Sequence, residues 1–313
     1  MNIIETHDLS HRYWETEFSP GTSWRTAEVV SGLTFAVPEG SVFALLGPNG
    51  AGKTTTIKML LNLLRPTRGG ARVLGVDSRR LGEPELAQLG YVSENQQLPL
   101  WMTVRQLLDY CRPFYPTWDP ALEKTLLAQF ELPEDRRLKH LSRGMLMKAA
   151  LLSTLAYRPK LLVLDEPFSG LDPLMRHEFV RGVLEVSTLG DWTVLVSSHD
   201  IEDVERLADH IGMMENGRMK LSEPADSLLG RFRRVELTGA SFDAALKPGG
   251  ALEWDSAGNL TKFIAPDYAG EASERAWRER WPEATLRVTP LTLREIFITL
   301  ARAGRSTPNG VAA

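Results

Sequence analysis

The chain has 313 residues, about two domains on a loose prior of ~150 residues each, and its 43% hydrophobic and 24% charged content excludes a disordered protein. Thirty-six basic against 40 acidic residues leave a net charge of −4, so no whole-chain basic field draws it to nucleic acid. One cysteine, Cys111, excludes an intrachain disulfide and fits a reducing compartment.

In chain order, the opening Met1-Asn2-Ile3-Ile4-Glu5-Thr6-His7-Asp8 has none of the grading of a secretory leader. No apolar run approaches the ~18 residues of a membrane span. The expectation is a soluble cytoplasmic protein that meets a membrane only through a partner. Up to residue 230, short apolar runs alternate with helical patterns, which predicts an α/β fold with a largely parallel sheet. Val42-Phe43-Ala44-Leu45-Leu46 is a buried-strand run ending in a glycine-rich turn, and a helix is predicted over Thr55–Leu64. Leu89–Val92, Leu161–Leu164 and Thr193–Ser197 are further strands, the last two ending in polar residues.

Between about 100 and 157 the pattern turns helical, with apolar stripes at Val104, Leu107, Leu108 and at Leu122, Leu126, Leu127. Pro113, Pro116 and Pro120 punctuate this stretch, which reads as a helical subdomain inserted into the α/β core. Residues 231–303 read as a small α+β domain. It holds a strand at Arg233–Leu237 and a hairpin of Ala251–Trp254 and Leu260–Ile264 around Asp255–Asn259. A closing helix bears Leu293, Ile296, Phe297 and Leu300, and residues 304–313 read as a disordered tail.

Gly47-Pro48-Asn49-Gly50-Ala51-Gly52-Lys53-Thr54 matches G-x-x-x-x-G-K-[ST] directly after a strand and before a helix, the context the motif requires. Glycines let backbone N–H groups turn toward phosphate oxygens, and the helix N-terminus adds its positive end. Lys53 would reach the β- and γ-phosphates, and Thr54 would offer its hydroxyl to Mg²⁺. The bland alternative, a strand–helix turn without a ligand, leaves the agreement of strand, loop and helix unexplained. Leu161-Leu162-Val163-Leu164-Asp165-Glu166 supplies an acid at the end of a buried strand, costly there unless it meets a cation. Glu166 points the other way, where it would polarise a water. His199 follows another apolar strand. A lone histidine there is ordinarily structural, but the strand ends of an α/β sheet converge on one crevice, where imidazole would meet a γ-phosphate.

With these residues in view the chain resembles the ATP-binding cassette (ABC) ATPases. Leu141-Ser142-Arg143-Gly144-Met145 is similar to the family signature Leu-Ser-Gly-Gly-Gln and lies about 20 residues before the Asp165-Glu166 strand. Ser169-Gly170-Leu171-Asp172 resembles the D-loop, and Tyr13 the aromatic that stacks on adenine. The resemblance implies a P-loop NTPase core over residues 3–225, with ATP and Mg²⁺ as cofactors. It implies nucleotide contacts from Tyr13, from Gly47, Pro48, Asn49, Gly50, Ala51, Gly52, Lys53, Thr54 and Thr55, and from Ser142, Gly144 and Asp172. Lys53, Glu166 and His199 would carry catalysis. Two copies would sandwich two ATP molecules head to tail, with Ser142 and Gly144 of one facing the phosphate loop of the other.

Two departures stand out. Arg143 replaces the first signature glycine and Met145 the glutamine. Tyr91-Val92-Ser93-Glu94-Asn95 is similar to the family's Tyr-Val-Pro-Gln-Glu, which places Glu94 where a glutamine is usual; Gln96 and Gln97 are the alternatives. On this reading Thr54, Asp165 and Glu94 face Mg²⁺. Leu293-Arg294-Glu295-Ile296-Phe297 and Phe114-Tyr115-Pro116-Thr117-Trp118-Asp119 resemble segments of export-type cassettes with separate permeases, although Leu and Phe at helical spacing are core residues first. The implied protein is the ATPase subunit of an ABC exporter. It would sit on the inner face of the cell membrane through a membrane-spanning permease, paired with a second copy, with no nucleic acid as partner. The alternatives are a soluble, non-transport ABC ATPase acting on ribosomes or DNA, and a cassette that senses ATP without turnover.

Overall fold

The computed structural model describes residues 1–15, 25–187, 192–202, 204–239 and 247–306. The chain divides into two units, Met1–Ser222 and Glu223–Ala313.

The first unit opens with β1 (Asn2–Glu15), β2 (Arg25–Leu33), β3 (Ala36–Pro38) and β4 (Val42–Leu46), then α1 (Lys53–Leu60), β5 (Arg68–Val73) and β6 (Val76–Asp77). Next come α2 (Glu83–Leu86), β7 (Leu89–Ser93), α3 (Val104–Cys111), α4 (Pro120–Gln129) and α5 (Arg143–Leu155). It continues with β8 (Leu161–Asp165), α6 (Pro173–Ser187), β9 (Thr193–Ser198), β10 (His210–Glu215) and β11 (Arg218–Pro224). One sheet runs β2-β1-β5-β6 with β3 also on β1; the other runs β11-β10-β4-β9-β8-β7. From β10 to β7 its pairings are all parallel. Every residue of β4, β8 and β9 is buried. Strands covered on both faces read as unbroken apolar runs, which is why these three were legible.

The helix after the glycine-rich loop is shorter than the predicted Thr55–Leu64: α1 covers Lys53–Leu60. It ends because Asn62 takes the left-handed region at φ 59, which a short polar side chain tolerates but a helix does not continue through. Leu63, expected on the helix, is instead 63% exposed.

Local caps define the helical subdomain. Thr103 and Gln106 cap α3 reciprocally, Asp119 accepts from Ala121 and Leu122 N–H at α4, and Ser142 accepts from Met145 N–H at α5. Glu123 lies buried among them, accepting from Trp118 Nε1 (2.7 Å), Arg105 Nη1 (2.7 Å) and Arg112 Nη2 (2.9 Å). Burial pushes its carboxyl up, but the Trp118 indole and the Arg112 and Arg105 guanidiniums outweigh that and hold it below the usual range. Glu123→Ala is expected to lower stability by about 1–3 kcal/mol at neutral pH, the cost of leaving the buried Trp118 N–H unpaired and the two arginines without their shared carboxylate. A depressed carboxylate stabilises above its unfolded pKa and ceases to do so as pH falls. The gap between the variant and parental melting temperatures should therefore narrow as pH falls below the ordinary glutamate value of 4.5.

The second unit contains α7 (Ala225–Arg231), β12 (Arg233–Thr238), β13 (Leu252–Ala257), β14 (Leu260–Ala265), α8 (Glu271–Arg280), β15 (Thr285–Pro290) and α9 (Leu293–Ser306). Its division from the first falls after Ser222 rather than after residue 230, because α7 packs with α9. The sheet is antiparallel in the order β13-β14-β12-β15. Val235, Leu237, Phe263 and Trp281 form its core, with Trp254 and Trp277 packed against them. The hairpin is tighter than expected: β13 runs to Ala257 and pairs with Leu260, leaving only Gly258 (φ 61) and Asn259 as the turn. α9 carries Leu293 through Ser306, so residues 304–306 are helical rather than tail; 307–313 lie outside the described residues.

Candidate active site

The parallel register sets four strand ends on one level. Ser93 of β7 lies beside Asp165 of β8, Asp165 beside Ser197 of β9, and Ser197 beside Leu45 of β4. Within this sheet the chain passes from β4 out to β7 on one side and from β9 across β4 to β10 on the other, so the β4–β9 boundary is a topological switch point, where such sheets open a crevice beyond their carboxyl ends. The glycine-rich loop fills the path from β4 to α1. A Cβ on Gly47 would lie 2.4 Å from the Met214 carbonyl oxygen, and Gly52 sits at φ +99, where a side chain is strained. Lys53, 5% exposed, folds back across the loop. Its Nζ donates to the carbonyls of Gly47 (2.7 Å) and Pro48 (3.2 Å) and forms an ion pair with Glu166 Oε1 at 2.9 Å.

Asp165 is 4% exposed, and its Oδ1 accepts from Ser197 Oγ (2.7 Å) and Thr54 Oγ1 (3.1 Å). Burial pushes its carboxyl up, and the two neutral hydroxyls counter this only in part. The next residue, Glu166, takes a left-handed backbone at φ 51, a conformation costing on the order of 1 kcal/mol or more for a non-glycine residue. That turn aims the two acids apart. Glu166 N–H donates to Ser197 Oγ (2.9 Å), and its Oε2 lies 2.8 Å from His199 Nδ1.

Thr54, Asp165, Glu166 and His199 are thus joined through Lys53 and Ser197. Ser197 was missed by sequence reasoning, because its role comes from register and no motif marks it.

A hard divalent cation fits Thr54 and Asp165. Both offer oxygen, and their 3.1 Å separation is close to the roughly 2.9 Å edge of an octahedron with bonds of about 2.05 Å. Glu94 is placed differently. Its N–H donates to the Asp165 carbonyl (3.0 Å), but its Oε1 accepts from Arg143 Nη2 and Ser169 Oγ, each at 2.7 Å. The Ser169 hydroxyl, then the Arg143 guanidinium, outweigh desolvation and hold this carboxyl below the usual range. Gln96 Oε1 accepts from Ser93 N–H at 3.4 Å.

Tyr13, on β1, reaches the loop side of the site: its hydroxyl is 3.5 Å from Thr55 Oγ1, and His11 packs edge-on against its ring at 4.5 Å. Ser142 is exposed and caps α5 through Met145 N–H at 3.2 Å. Gly144 is buried, and a Cβ there would lie 2.2 Å from Met175 Cε, the free end of a flexible side chain that would have to move aside. Asp172 Oδ1 accepts from Met175 N–H at 2.9 Å in the first turn of α6.

A phosphate loop at the switch point, a buried acid at the next strand end but one, and a second acid paired with histidine together define a nucleoside-triphosphate-hydrolysing core. The pattern of the family described as ABC transporter matches residues 30–169. The chain is 27% identical over 274 residues to the ABC transporter ATP-binding protein YtrB of Bacillus subtilis, covering 87% of this chain and 92% of that protein. It is 39% identical over 206 residues to the Nod factor export ATP-binding protein I of Burkholderia lata, covering 64% and 67%. A solved ATP-binding subunit of an ABC transporter superposes with a TM-score of 0.60 at 30% identity over 72% of this chain and 91% of that one.

The chain belongs to the ABC transporter family, as an ATP-binding, ATP-hydrolysing subunit. Neither of the two non-transport alternatives gains support from these relatives.

Proposed function

We propose that the chain energises export through separately encoded membrane subunits, hydrolysing Mg²⁺-bound ATP at the loop–acid–histidine cluster. The observation that carries this is the continuous contact path from Thr54 through Asp165 and Ser197 to Glu166, Lys53 and His199. Mg²⁺, when bound, would supply charge neutralisation at the phosphates; Thr54 and Asp165 would hold it, and the Glu94 carboxylate would face it on leaving Arg143. The loop of Gly47–Thr55 wraps the phosphates with the backbone N–H groups that follow Pro48, and Lys53 turns its ammonium from Glu166 to the phosphate oxygens. Glu166 orients the water and takes its proton, while His199, whose Nδ1 lies 2.8 Å from Glu166 Oε2, presents a ring N–H to the γ-phosphate once nucleotide is in place. Tyr13 stacks on the adenine. Ser142, Gly144 and Asp172 serve the nucleotide of a second copy.

Among the described residues no helix is long and apolar enough to cross a membrane; on this proposal a separate permease is the membrane component and this chain is peripheral to the inner face. A groove of about 300 Å³ opens between Leu63, Leu86 and Tyr91 on one wall and Tyr115 and Tyr157, stacked at 3.7 Å, on the other. Gln96 lines it too, and a few residues on, Trp101 stands 68% exposed. An apolar groove beside the Glu94 loop suits a helix of the permease. The Nod factor export relatives favour export over uptake.

To test this, Cys111 is first replaced by Ser, because it lines the same groove. Trp101→Cys is then coupled to a bulky maleimide. Permease-stimulated hydrolysis should be lost while hydrolysis by the isolated chain survives. Undiminished stimulation would remove this surface from permease coupling.

A further inference from the structure

Arg143 and Glu94 are separate departures from the family pattern, 49 residues apart in the chain, and they meet in space. Arg143 Nη2 donates to Glu94 Oε1 at 2.7 Å, and Ser169 Oγ donates to the same oxygen at 2.7 Å. The guanidinium lies across Gly170, where a Cβ would come within 2.5 Å of Nη1. A glycine there leaves the seat open.

The charge arithmetic explains the pair. Glu94 follows β7 directly, and Ser93 is level with Asp165, whose neighbour is Glu166. A glutamine at 94 would leave two carboxylates at these strand ends; glutamate makes three near a site that takes a polyanion. Like charges so placed repel one another and the phosphates. Lys53 balances Glu166, and Arg143 balances Glu94. The side chains are 49% and 31% exposed, so the pair contributes little to global stability. Its effect lies in where it holds the Glu94 carboxylate.

We propose that Arg143 is a positioning residue for Glu94: it holds and neutralises the third carboxylate, so that Arg143 and the Mg²⁺–nucleotide compete for one side chain. The signature segment is thereby tied to the metal side of the site within a single chain. This rests on the assignment of Glu94 to the metal side made above.

The test reads binding, not turnover: a fluorescent, non-hydrolysable ATP analogue is titrated with Mg²⁺ against dilute protein. Melting curves confirm that each variant is folded. Arg143→Gly should lower half-saturating Mg²⁺ by about two- to fivefold, the factor expected for loss of an exposed ion pair. Arg143→Lys, which keeps the charge, should stay near the parental value. Glu94→Gln should raise half-saturating Mg²⁺, and in that background Arg143→Gly should cause no further shift.

Equal shifts from Arg143→Gly in both backgrounds would mean that arginine acts on the nucleotide directly, and would overturn the proposal. No shift from Arg143→Gly, with Glu94→Gln still effective, would overturn it while leaving Glu94 at the metal. No shift from Glu94→Gln would remove Glu94 from the metal side, and the proposal with it.

Discussion

Glu166→Gln is expected to lower ATP turnover by about 10²–10⁴-fold, the usual worth of a positioned general base, while nucleotide binding persists. Glutamine keeps the length of the side chain and can still accept from Lys53 and donate to His199 Nδ1, so the cluster retains its shape. What it loses is the charge that takes a proton from water. It also loses the ion pair that holds Lys53 at 2.9 Å, so the ammonium meets phosphate with one competitor fewer, and affinity for ATP should not fall. With the γ-phosphate no longer removed, the two-copy sandwich should accumulate. Phosphate release measures the first effect, and size-exclusion chromatography with and without ATP measures the second. A variant that turns over at the parental rate would take Glu166 out of the mechanism.

Ser142→Arg should abolish turnover yet leave nucleotide affinity of the isolated chain nearly intact. The side chain is exposed, and its contact within the chain is the cap on Met145 N–H. Losing that cap costs about 1 kcal/mol of helix stability, too little to unfold the subunit. A bulky cation at this position would instead obstruct the phosphate of the opposite copy's nucleotide. Ser142→Ala, which loses the same cap without the bulk, separates the two contributions. Mixing Ser142→Arg with Lys53→Ala leaves one interface site with both an intact phosphate loop and an intact signature, so partial activity should return. If Ser142→Arg removed nucleotide binding by the isolated chain, the head-to-tail arrangement would be wrong.

The parts of this protein that were legible in sequence are those whose burial is local. β4, β8 and β9 announce themselves because both faces are covered, and the chemistry follows directly at their ends in Gly47, Asp165 and His199. β1 gave no such signal. It spans Asn2–Glu15 and pairs with β2, β3 and β5 across register shifts, so its polar and apolar residues do not alternate cleanly. α8 was equally silent: Glu271–Arg280 is mostly charged, and its aromatic anchor Trp277 finds Phe263 and Tyr268 only in the folded unit. In the site, spacing identifies the residues that motifs carry but not those that register assembles. Ser197 and the Arg143–Glu94 pair belong to the second kind.

Ser197 has one hydroxyl proton. With that proton directed at Asp165, only its lone pairs remain for the Glu166 N–H. The path from backbone amide through hydroxyl to carboxylate therefore has a polarity, and it runs from one acid toward the other. β8 and β9 are already laced by their amide ladder, and this extra rung carries the lacing one step past the sheet into the reacting centre. Sliding of β8 against β9 would break both of these hydrogen bonds at once, so one serine hydroxyl holds two consecutive residues of β8's end to the strand beside it.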